Sequence, residues 1–414
     1  MKRLLSISAL VCVTAVASAQ APKYDVDPLW PKPFPVAKKW ILGSVTGVTV
    51  DAQDRIWVVH RGVDSLQTNE KGPALEPWAS MCCFAAPQIL AFNAAGDLVA
   101  NWEPKDTKGY DWPANPAGIA VDAKGNVWVA GGLPTPSIAP AGRGRGAPAA
   151  GRGDTPAGRG DTPAGRGDAP ARGAAPGAGR GAAPPAPPDA QVLKFSKDGK
   201  FVMQIGKGGQ TGGSDSPTSL NRPSAIAVDD AANEVYVADG FGNHRIVVFD
   251  ANTGAFKRAW GAYGEKPSPD SDVAMGAYDP NGAPAKQFRT VSCVKIAKDG
   301  MVYVCDRQND RIQVFDKTGK FQKEAFVAKT TTGDGSVWDI AFSPDQRQIF
   351  VADGHNKTVR VLNKASMNEV GRIGSGGRYP GLFYGVGSVA VDSRGNLYTG
   401  ETYEGKRVQK FVKK

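Results

Sequence analysis

Ala225-Ile-Ala-Val-Asp229, Val235-Tyr-Val-Ala-Asp239 and Arg245-Ile-Val-Val-Phe-Asp250 follow one another in mid-chain. The phrase returns as Val294-Lys-Ile-Ala297, Val302-Tyr-Val-Cys-Asp306 and Arg311-Ile-Gln-Val-Phe-Asp316. Each is a set of short β-branched runs broken by turn residues, the pattern of strands packed on both faces. Units of roughly 40–50 residues holding three or four strands read as propeller blades. Working outward, the unit occurs six times, with inner hairpin turns after Asp51, Asp122, Asp229, Ala297, Phe342 and Asp392. The expected fold is therefore all-β, a six-bladed β-propeller.

The last copy stops after its third strand, Val408–Phe411, at Lys414. A strand from the N-terminal end is expected to complete that blade, and Lys38-Lys-Trp-Ile-Leu-Gly43 has the pattern of a fourth strand ending in a Gly corner. Closure of this kind removes exposed sheet edges. The expected layout is a signal peptide over 1–19, an N-terminal extension over 20–35, and the propeller over 36–414.

The signal peptide is read from Met1-Lys-Arg3, the apolar stretch Leu4 to Val16, and Ala17-Ser-Ala19. No other apolar run is long enough to span a bilayer. The expected location is secreted or periplasmic. Four cysteines follow the leader. Cys293 and Cys305 flank one hairpin turn and are candidates for a bridge across two strands; Cys82 and Cys83 are adjacent.

Two stretches interrupt the repeat, Arg61 to Gln88 and residues 133–190. The second is almost entirely Gly, Ala, Pro, Arg and Asp, which cannot bury a core, and it is expected to be disordered. Its three Arg-Gly-Asp triplets (152–154, 159–161, 166–168) sit in a seven-residue near-duplication that replication slippage explains without an adhesion role. The net charge of +10 includes seven Arg and four Asp from this insert. No basic run with interleaved aromatics remains, so nucleic acid is not an expected partner.

Aligned on itself, the repeat compares one position in every blade. The end of strand two opens on the face that holds the channel mouth, and there the chain places His60, Gly131, Asp239, Asp306, Asp353 and Glu401. Two readings follow. The acids and His60 could ring the mouth as ligand-binding groups, with Arg61 and Arg307 supplying fixed positive charge to an anionic ligand. Alternatively each acid caps its own loop or pairs with the arginine that follows, as Asp306 could with Asn309 and Arg311.

The repeat resembles the NHL-type propeller. Outside the insert, the chain resembles the lyase family that converts peptidyl-α-hydroxyglycine to a peptide amide and glyoxylate. The matching pieces are Gly47-Val-Thr-Val-Asp51, Val59-His-Arg-Gly62, Val237-Ala-Asp-Gly240 with Asn243 and Arg245-Ile246, and Cys305-Asp-Arg307 with Asn309 and Arg311-Ile-Gln313. The resemblance implies roles for Arg61 and Arg307 as catalytic residues if the protein is an enzyme. It also implies a zinc site of three inner-strand histidines, at positions that here hold Ala117, Ser292 and Gly387. The family's active-site tyrosine corresponds to Phe241, and its calcium-linked acid to Ser388. No cofactor is therefore expected; zinc or calcium would need other ligands. The expectation is a monomeric binding propeller for a small anionic or peptidic ligand, or a protein partner, with an active lyase or hydrolase as the alternative.

Overall fold

The computed structural model describes residues 21–103, 108–132, 187–268 and 275–414. All but two of its strands fall into six four-stranded antiparallel sheets. Their inner strands are Val45–Val50, Pro116–Val121, Pro223–Asp229, Val291–Ile296, Asp339–Phe342 and Val386–Val391. These pack side by side in chain order, and the last meets the first. The six-bladed propeller read from the repeat is thus the observed fold. The 1–19 leader and nearly all of the 133–190 insert lie outside the described residues.

The hairpin turns show why the repeat is legible. Asp51 Oδ1 accepts the amides of Gln53 and Arg55, and its Oδ2 accepts Trp57 Nε1 at 2.8 Å. Asp122 does the same for Lys124, Asn126 and Trp128, and Asp392 for Arg394, Asn396 and the Tyr398 hydroxyl. One aspartate thus folds the turn and orients an aromatic that is fully buried between neighbouring sheets. At about 25 cal/mol per Å² of apolar surface, each such ring stabilises the fold by several kcal/mol.

Closure of the ring differs from expectation. Tyr24–Asp27, not Lys38–Gly43, is the fourth strand of blade six, and it pairs with Arg407–Lys413 in the register Tyr24↔Lys413 to Asp27↔Lys410. Tyr24 packs edge-on against Phe350, with ring centroids 5.8 Å apart, and Val26 joins the same core. The propeller therefore includes the segment expected to be an extension. Trp40–Ile41 instead pairs in parallel with Phe84–Ala85, fastening the blade-one loop. That loop carries a Cys82–Cys83 disulfide. A second disulfide joins Cys293 to Cys305, which are directly opposed in the first hairpin of blade four and fully buried.

A further boundary moves. Asp189 and Ala190, assigned to the insert, are buried in blade two. No helix among the described residues is long and apolar enough to cross a membrane.

Candidate functional site

Every inner strand except that of blade five begins with one irregular step in its pairing, after Val45, Pro116, Pro223, Val291 and Val386. The extra residue that a bulge inserts is re-aimed out of the sheet, and here those residues are Thr46, Ala117, Ser224, Ser292 and Gly387. Three carry hydroxyls, and each bonds a carbonyl at the start of the next inner strand. Thr46 donates to Pro116 O at 2.7 Å, Ser224 to Val291 O at 2.6 Å, and Ser292 to Val337 O at 2.9 Å. The three positions that align with the lyase family's zinc histidines thus hold an alanine, a glycine and a serine already committed to an interblade bond.

These residues line a cavity of about 40 Å³ together with Lys295, Asp339 and Ser388 among others. Lys295 Nζ stands 3.1 Å from Asp339 Oδ1, and the same carboxylate accepts the amides of Ile340 and Val389. Blades four, five and six meet at this carboxylate.

The strand-two residues do not ring an open mouth. His60, Asp239, Asp306, Asp353 and Glu401 are fully buried, and their polar atoms are engaged internally. Asp239 accepts Asn221 N, Asn243 Nδ2 and Arg245 Nε; Asp306 accepts Arg289 N, Asn309 Nδ2 and Arg311 Nε. Asp353 takes Asn356 and Arg360, while Glu401 takes the Tyr384 amide, Gln409 and Arg407. In blades three, four and six the acid holds the amide two residues before the inner strand and the guanidinium of strand three. The ligand-binding assignment of these residues is corrected to an architectural clamp, because a strand-end side chain turns back onto its own lead-in segment.

His60 performs the same task without a charge. Its Nδ1 accepts the amides of Gly43 and Gly62, both at 3.1 Å, and Nε2 lies 3.0 Å from Pro87 O. Burial pulls its pKa down to about 4, so the ring stays neutral with Nε2 as the donor. Blade two has Gly131 at this position, and Asp189 supplies the missing carboxylate to the amides of Ala114 and Asn115.

The residues just beyond the clamps are different. Arg61 and Arg307 each retain only slight exposure, and burial lowers the pKa of both guanidinium groups. The Tyr403 hydroxyl is close enough to both for its charge to bear on their titration. Burial raises the pKa of that hydroxyl, so it is protonated and can donate. Tyr403 is anchored from behind, its carbonyl accepting Ser44 Oγ at 2.8 Å. Arg307 stacks on Trp338 with Cζ 3.6 Å from the ring centroid, a geometry that leaves only the edge of the guanidinium for hydrogen bonding. Asp334 covers that edge. Phe241 is half-buried in the blade-three loop, its amide donating to Arg222 O.

Tyr403, Trp338 and Asp334 were not singled out from sequence. Tyr403 had a readable signal: it stands two residues past the strand-two acid Glu401, as Phe241 does past Asp239. Blade six thus carries a tyrosine hydroxyl where the equivalent position in blade three has a bare ring.

The NHL repeat family model matches residues 220–249. Human NHL repeat-containing protein 3 is 29% identical over 183 residues, covering 44% of this chain and 46% of that protein, and the mouse protein matches equally. Peptidyl-glycine alpha-amidating monooxygenase B of Xenopus laevis is 35% identical over 105 residues, 25% of this chain and 10% of the enzyme. The chain therefore spans under half the length of the curated relatives it matches. Among solved structures, a streptogramin B lyase superposes with a TM-score of 0.46 at 10% identity, covering 94% of this chain and 98% of that one. A Bacteroides thetaiotaomicron protein of unknown function gives 0.49 at 12%, over 90% and 70%.

Proposed function

We propose that this NHL-type propeller is an exported, monomeric binding module, related to the amidating lyase but without its zinc site, whose channel mouth takes a small anionic or peptidic ligand through Arg61 and Arg307. The observation that carries the reading is the pair of buried guanidinium groups, both within electrostatic influence of the Tyr403 hydroxyl. Two fixed cations in a desolvated mouth attract an anion far more strongly than the same charges on an open surface. Several features support the metal-free form. Ala117 and Gly387 offer no ligand atom, Ser292 is bonded to Val337 O, and among the described residues no three His, Cys, Asp or Glu side chains gather in a way that could hold an ion. Export is supported by the leader-like N-terminus and by two disulfides, which persist in oxidising compartments.

A second reading, an active lyase, is favoured by one observation. Tyr403 restores to the mouth the hydroxyl that Phe241 lacks. Both readings are tested by incubating the protein with a peptidyl-α-hydroxyglycine, with and without added zinc, while following glyoxylate release and ligand binding. Saturable binding without glyoxylate, weakened by Arg61→Ala, supports the binding module. Glyoxylate release abolished by Arg61→Ala would establish the enzyme, and binding unaffected by Arg61→Ala would remove Arg61 from the site.

A further inference from the structure

Asp334 is bound in the mouth much as a ligand would be. Its carbonyl accepts Arg307 Nε at 2.6 Å, its Oδ2 lies 3.3 Å from Arg307 Nη2, and the same Oδ2 accepts the Tyr403 hydroxyl at 3.1 Å. The two partners are unequally buried. The Arg307 side chain is 10% exposed, whereas that of Asp334 is 49% exposed. The arginine is fixed by its stack on Trp338 and by its backbone N–H, which donates to Thr290 O. Asp334 sits between Gly333 and Gly335, both in the left-handed region at φ 68° and 73°. A side chain at 335 would strike the Arg307 carbonyl, 2.0 Å from an ideal Cβ. Glycine there lets the loop lie flat on the arginine.

We propose that Asp334 is a tethered stand-in for the ligand's carboxylate, that the edge of Arg307 and the hydroxyl of Tyr403 form a carboxylate seat, and that an incoming carboxylate takes this seat by displacing the Asp334 side chain. This rests on the binding reading above and deepens it by naming the recognised group and Tyr403 as a specificity residue. A carboxylate leaving that seat for water recovers its hydration, because it is already half-solvated, whereas moving Arg307 would break a buried stack. The exchange therefore runs through Asp334. A tethered competitor acts at an effective concentration in the millimolar range, so it weakens every external carboxylate and excludes those too weak to compete. A neutral amide cannot accept the same charge-assisted bonds.

The test titrates N-acetylglycine, N-acetylglycinamide and inorganic phosphate into the mature protein by calorimetry, for the unmodified chain, Asp334→Ala and Asp334→Asn. The asparagine variant keeps the loop's shape should alanine disturb folding. The expected result is that both variants bind N-acetylglycine at least about tenfold more tightly than the parent. Tyr403→Phe in the Asp334→Asn background should lose several-fold of that gain, and the amide should not bind. Equal affinity in parent and variants overturns the displacement while leaving binding at the mouth intact. No binding by either variant overturns both. A gain that survives Arg307→Met, or that favours phosphate over N-acetylglycine, shows that the seat is not the one described.

Discussion

Replacing Arg245 by methionine separates an architectural clamp from a ligand site. Arg245 is fully buried, and its guanidinium donates to Asp239 Oδ2 at 3.0 Å and to the carbonyls of Ser214, Ser216 and Ser219 at 2.8, 2.5 and 2.8 Å. Methionine keeps most of the volume, so little cavity forms. What remains is a buried carboxylate with two donors, Asn221 N and Asn243 Nδ2, and three carbonyl acceptors, one buried and two part-buried, without their charged partner. Breaking one side of a buried pair costs about 3–5 kcal/mol. Unfolding entropy scales at about 2 cal/mol/K per residue, so for a domain of this size the midpoint should fall by roughly 5 °C. The loss should also depend on pH. Burial pushes the Asp239 carboxyl up, and without Arg245 nothing of opposite charge opposes that. The native variant then holds a proton that its unfolded chain has released, so its stability falls as pH rises above the ordinary carboxylate range. Calorimetric melts at pH 5 and pH 8 check this: the gap between variant and parent should be larger at pH 8. A midpoint within 1 °C of the parent at both values, matching the exposed-pair control Arg347→Ala, would refute the clamp.

Other outcomes follow from the same geometry. Deleting residues 21–27 should open the ring, lower the midpoint and produce aggregation through the bared edge of Arg407–Lys413, detectable by light scattering; Trp40→Ala, outside the closing sheet, should show no added scattering and should unfold cooperatively. Asp310 is buried and its pKa is raised from 3.8 to about 7 by burial, so the native state retains a proton between those values and stability declines as pH climbs from about 4 to about 7. Asp310→Asn should flatten that part of the midpoint-against-pH curve, and its left-handed backbone at φ 52° suits asparagine. Paired substitution of Cys293 and Cys305 by serine should cost about 3 kcal/mol in denaturant melts, as expected for a bridge closing a short loop.

The blades were legible because their signals are local. The aspartate that folds the hairpin and the aromatic six residues later in blades one, two and six, and the β-branched strands of every blade, all lie within one unit, and each reports its own conformation. The closing strand was not legible for the opposite reason. Lys38–Gly43 and Tyr24–Asp27 are both short and partly apolar. The choice between them rests on whether Tyr24 reaches Phe350, more than 300 residues away. The acids ending strand two were located correctly, and of the two roles their sequence allowed, the loop clamp is the one observed. Arg61 and Arg307, one residue farther on, keep slight exposure and carry the proposed binding site. Asp334 escaped notice because it belongs to no repeat position: it lies in the lead-in to blade five, and only the fold carries it to an arginine of blade four.

The clasp in blade six also fixes where the chain can be attached to anything else. Strand three of that blade runs from Arg407, beside the mouth-face residue Glu401, to Lys413, whose partner is Tyr24. Lys414 N then donates to Lys23 O at 3.0 Å. Both described ends therefore leave together from the face opposite Arg61, Arg307 and Tyr403. A tether, fusion partner or surface linker joined at either end would hold the propeller by its back and present the mouth outward. A short peptide bridging the two ends should convert the clasp into a covalent hoop without touching the site.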